Sequence, residues 1–97
     1  MAINLNKGYT WAVNTCNAPN IGYSQQYRNQ QTVGGVTYYD CSSFVWYALV
    51  NAGFNLTGYP FATPSMDSKL KELGFTRYNS AEVIWKPFDI LWVTGHT

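Results

Sequence analysis

Apolar residues recur at helical spacing in three stretches of the chain. Between Ile3 and Cys16, the residues Tyr9, Val13 and Cys16 fall on one helical face, with Trp11 and Ala12 beside them. Asn17-Ala18-Pro19-Asn20 then stops that helix. The second pattern runs from Cys41 to about Asn51, where Cys41, Phe44, Val45, Ala48 and Ala52 share a stripe. Asp40 is its expected N-cap, because a carboxylate there accepts from first-turn N–H groups. Gly53 is its expected stop. The third pattern opens at Thr63-Pro64, read as a cap followed by proline at the first helical position. It carries Met66, Leu70 and Leu73 inward, with Asp67, Lys69, Lys71 and Glu72 solvated, and Gly74 ends it.

Extended segments lie between and after these helices. Val36 to Tyr39 leads into Asp40, and Phe75 to Tyr78 is a short strand candidate. The best strand is Phe88 to Val93, with Ile90 and Trp92 on one face and Leu91 and Val93 on the other. Thr94-Gly95 is a turn, and His96-Thr97 would open a further strand. Ile21 to Gly35 is polar and without period, so it reads as a long ordered loop with a turn at Gly34-Gly35. Phe54 to Ala62 is a connector, and Ser80 to Val83 a single turn. The fold class is α+β.

Length and charge narrow the function classes. Ninety-seven residues make one domain. A net charge of +1 leaves no basic stripe for nucleic acid. No apolar run approaches the length of a membrane span, and the start lacks the order of a signal peptide. Two cysteines and one histidine are too few, and too badly spaced, for structural zinc. Cys16 and Cys41 have the option of one disulfide, although sparse cysteine and no export signal argue against it.

Candidate chemistry centres on Cys41. A helix start gathers unpaired N–H groups and the positive end of the macrodipole, which favour a thiolate and can hold an oxyanion. The competing reading is a small core residue. Cys16 falls late in its helix and reads as core filler. His96 is the only side chain of a type that titrates near neutrality, so a cysteine nucleophile would have to use it as base. A lone histidine is also commonly solvated or structural. The tryptophans and tyrosines read as core and rim.

The segment Tyr39-Asp40-Cys41-Ser42-Ser43-Phe44-Val45 resembles the nucleophile segment of papain-like NlpC-type cell-wall hydrolases. Tyr23-Ser24 followed by Arg28 is similar to the Tyr-Ser-x-x-x-Arg stretch of phage peptidoglycan amidases. Ala48-Leu49 and Ala52-Gly53 match the helix end, Pro87-Phe88-Asp89-Ile90-Leu91 resembles the Pro-Gly-Asp-Ile/Leu strand, and Gly95-His96-Thr97 the base segment. Phe88 departs from the pattern, standing where the family has glycine.

The resemblance implies a papain-like fold with helices packed on an antiparallel sheet, belonging to the phage amidase and endolysin branch. It implies a cysteine-dependent hydrolase of peptidoglycan amide bonds, with Cys41 as nucleophile and His96 as base. Tyr23, Asp40 and Ser42 would help hold the stem peptide. No cofactor or metal is required; the partner is peptidoglycan, through its stem peptide and muramic acid, with no nucleic acid and no membrane insertion. The favoured bond joins muramic acid to L-alanine. A stem-peptide endopeptidase and a non-catalytic wall-binding module on the same scaffold are the alternatives, and a transglutaminase or acyltransferase is a third. The family's pattern also needs a third polar residue and further strands after the histidine. Residues 1–97 are therefore expected to be the N-terminal part of one catalytic domain, weakly active or inactive alone. The enzyme would be phage-encoded and reach the wall through a holin or on a virion tail.

Overall fold

The computed structural model describes residues 3–78, 86, 88–93 and 95–97. Among them, three helices and three short strands form an α+β arrangement. The turn expected at Ser80 to Val83 lies outside the described residues.

Helix α1 spans Leu5–Asn17, and the Asn4 side chain caps it by accepting from the Asn6 and Lys7 amides. Strand β1 is Ile21–Tyr23, β2 is Thr32–Val33 and β3 is Val36–Tyr39. Gly34 and Gly35 both take positive φ, 60° and 81°, which lets two residues join β2 to β3. The expected loop over Ile21 to Gly35 thus contains two short strands. The sheet order is β1-β3-β2, with β1 parallel and β2 antiparallel to β3. This mixed sheet corrects the expected antiparallel one. The parallel pair arises because the chain between Tyr23 and β3 makes a full return before pairing.

Helix α2 spans Cys41–Ala52, between the Asp40 cap and Gly53 at φ 103°. Trp46 and Leu49, off the expected stripe, are buried together with its Ala48 and Ala52, while its Cys41, Phe44 and Val45 are half-buried. The helix is enclosed on several sides. One face takes α1, where Gly8 lies against Ala48 and Ala52. Another joins Phe61, Met66 and Leu70 to form the main core.

Helix α3 spans Thr63–Glu72. Ala62, not Thr63, occupies the cap position and supplies no side-chain bond, while the Thr63 side chain is buried. Met66 and Leu70 face the core as their spacing requires, with Leu73 packed at its edge.

Neither C-terminal strand candidate forms among the described residues. Phe75 to Tyr78 is irregular, and residues 88–93 contribute only the Val93–His96 bridge. A strand exists through its ladder, and these segments have none. The alternation survives nonetheless: Phe88, Ile90 and Trp92 pack on the core, while Leu91 and Val93 are exposed. The Trp92 indole N–H donates to the Thr63 carbonyl at 2.8 Å, fastening this segment to α3. Phe88 has φ 71°, a left-handed conformation that costs a side chain about 1–2 kcal/mol and glycine almost nothing. The backbone thus explains why glycine suits this position. In this chain the Phe88 ring packs against Gly8 and the core instead.

Candidate active site

A groove of about 670 Å³ runs between α1, β1, the start of α2 and residues 88–91. Cys41 lies on it as the first residue of α2. Tyr9, Ala12, Phe44 and Ile90 give it apolar walls, and Tyr23, 63% exposed, stands at its margin. Cys16 also lines the groove and is exposed, which corrects its expected place in the core. A polar loop follows α1 almost at once, which leaves Cys16 in its last turn exposed. Both cysteines are free thiols, and no disulfide joins them.

The local chain around Cys41 is held by reciprocal capping. Asp40 Oδ1 accepts from the Ser43 amide at 2.8 Å, and the Asp40 amide donates to Ser43 Oγ at 2.9 Å. The Phe44 amide donates to the Asp40 carbonyl. These bonds use the third and fourth amides of the helix. The Cys41 and Ser42 amides have no acceptor among the described residues, so the first turn keeps donors beside the sulfur.

Arg28 is the residue that sequence reasoning left without a role. Its Nε donates to Asp40 Oδ2 at 2.8 Å and its Nη2 to Ser42 Oγ at 2.9 Å. It also donates to the carbonyls of Pro60, at 2.9 Å, and Phe61. The signal available was the Tyr-Ser-x-x-x-Arg stretch. Its geometry is now plain: Ser24 Oγ accepts from the Tyr27 amide at 3.1 Å, turning the chain so that Arg28 points back to Asp40.

Burial works to raise the Asp40 carboxyl, but the hydrogen bonds from Arg28 and Ser43, with the Arg28 charge, outweigh it and hold the group below its ordinary value. Its carboxylate and the Ser42 hydroxyl are both buried and turned into this network. Nearby, burial raises the Tyr47 phenol, reinforced by Tyr39 and Tyr59 and opposed by Arg28. The Tyr47 hydroxyl donates to Asn29 Oδ1.

His96 follows Gly95, at φ 94°, in a turn closed by paired backbone bonds with Val93. It is exposed and is not among the residues facing the groove. Its neighbour Thr97 does line the groove, and Thr97 Oγ1 donates to the Leu91 carbonyl at 2.6 Å. The structure therefore brings Cys41, Tyr23 and Thr97 around one cavity, with Asp40 also on its lining, and leaves His96 outside that lining. Among the described residues no cluster of histidine, cysteine and carboxylate side chains could hold a metal ion.

The family model described as bacteriophage peptidoglycan hydrolase matches residues 7–96. The chain belongs to that family. The match runs from the first turn of α1 to His96. Neither curated proteins nor solved structures give a match. Membership makes this hydrolase phage-encoded and its target the peptidoglycan of the bacterial wall. None of its described helices is long and apolar enough to cross a membrane.

Proposed function

We propose that the chain is a cysteine-dependent peptidoglycan amidohydrolase on a papain-like scaffold of the NlpC type. The bond cut is the amide joining muramic acid to L-alanine. The observation that carries this reading is the place of Cys41: first residue of a capped helix, on an open groove, where its own amide and that of Ser42 have no acceptor among the described residues.

The Cys41 thiolate attacks the amide carbonyl, and the amides of the first turn receive the charge on the carbonyl oxygen. The carbon–nitrogen bond breaks as His96 protonates the leaving amine. Water then gives its proton to His96 and releases the acyl group, restoring the thiolate. This step requires the His96 imidazole, which is exposed and outside the groove lining, to come against the sulfur. Tyr23 meets the substrate at the groove margin, and Asp40 and Ser42 serve by holding the chain on either side of Cys41.

Mass spectrometry of digested walls tests the bond assignment. Intact stem peptides with a free L-alanine amine are expected. Fragments cut within the stem would make the enzyme an endopeptidase instead. Undiminished wall lysis by Cys41→Ala would remove the covalent mechanism.

A further inference from the structure

We infer that Arg28 is the positioning residue of the nucleophile, acting on Cys41 through the residues on either side of it. The inference rests on the reading of Cys41 as nucleophile. The guanidinium bonds to the residue before the sulfur, Asp40, and to the residue after it, Ser42. Cys41 is thus suspended between two side chains that one planar group fixes. The same group takes the Pro60 and Phe61 carbonyls, so the start of α2 is tied to the segment entering α3. The Arg28 side chain is only 12% exposed, and the Asp40 side chain 10%. Water therefore cannot readily substitute for either partner.

The geometry asks for arginine in particular. Four acceptors lie around one fork, and lysine, a single point donor on a flexible stem, cannot meet all of them. The Asp40 cap would outlast the loss of Arg28, since the Ser43 amide bonds to the other carboxylate oxygen. Helix α2 would persist while its first turn loses its fixed orientation relative to the groove. Sub-ångström placement governs attack on a carbonyl, and a displacement near 1 Å can cost about 100-fold.

The test compares the full chain, Arg28→Lys and Cys41→Ala on soluble muropeptides, well below each protein's melting temperature. Arg28→Lys is expected to stay folded by circular dichroism and to lose about 100-fold in kcat, with KM within about twofold. A residue that only stabilised the fold would leave kcat of the folded protein unchanged. Should Arg28→Lys not fold, Ser42→Ala replaces it, removing the contact on one side of Cys41, with an expected loss of about tenfold in kcat. Wild-type kcat in the folded variant, alongside an inert Cys41→Ala, would overturn this inference alone. Full activity in Cys41→Ala would overturn the nucleophile on which it rests.

Discussion

Gly8 lies so close to Ala48 that a Cβ on it would meet the Ala48 carbonyl oxygen at 2.6 Å. The same atom would come within 2.5 Å of the Phe88 ring and 2.9 Å of the Ala52 Cβ. Alanine would gain about 1 kcal/mol of helix propensity. A backbone oxygen cannot step aside, however, and overpacking costs about 1–3 kcal/mol. Gly8→Ala is expected to lower the melting temperature by several degrees. Phe88→Gly in the same chain should not restore the parent's stability, because the Ala48 carbonyl remains and the ring's packing on the core is lost. Equal or higher stability of Gly8→Ala by calorimetry would contradict the close approach of α1 and α2.

The Asp40–Arg28 pair makes stability depend on acid. The folded carboxyl lies below its ordinary 3.8. Its contribution is therefore complete above that value and fades as pH falls through the lower folded one. Asp40→Asn leaves Arg28 buried without its partner and should cost about 3 kcal/mol near neutrality. It should also flatten the dependence of melting temperature on pH below the ordinary 3.8. Parallel pH curves for parent and variant would show that the pair does not carry this linkage.

Cys16 and His96 should differ sharply in consequence. Cys16→Ser, at the open end of the groove, is expected to leave wall lysis within about threefold. His96→Ala is expected to reduce lysis by at least about 1000-fold while the melting temperature holds, since the imidazole is exposed. Turbidity clearing of cell walls reads both. Lysis surviving in His96→Ala would exclude it as the base.

Tyr23 separates binding from folding. Exposed at the end of β1, it should contribute within about 0.5 kcal/mol to stability. Tyr23→Ala is expected to raise KM for soluble muropeptides by about tenfold, with little change in kcat. An unchanged KM would remove Tyr23 from the substrate-binding surface.

Local features were readable without coordinates where one residue decides one position. The Asp40 cap, the Gly53 stop and the Gly34-Gly35 turn each rest on such chemistry. The sheet was harder, because β1 and β2 are three and two residues long and carry no period. Their pairing depends on β3 returning beside β1, which no local pattern reports. The single stripe assigned to α2 missed Trp46 and Leu49 because that helix is enclosed on more than one side. Residues 88–93 had the alternation of a strand but, among the described residues, no ladder partner to make them one. Arg28 stood in a polar stretch, where its worth depended on acceptors distant in sequence. Cys41 was visible as a helix-start thiol, whereas the donor behind it was not.

Arg28 also reaches forward to carbonyls more than thirty residues along the chain. During synthesis, a polypeptide that has emerged only through α2 already contains the thiol, but lacks the Pro60 and Phe61 anchors. The helix can form at that stage, as helices do in microseconds, while its first turn awaits the later segment. On the ribosome the nascent chain would therefore carry the thiol before its first turn is anchored, and the fixed orientation would arrive only when the distant carbonyls close on Arg28.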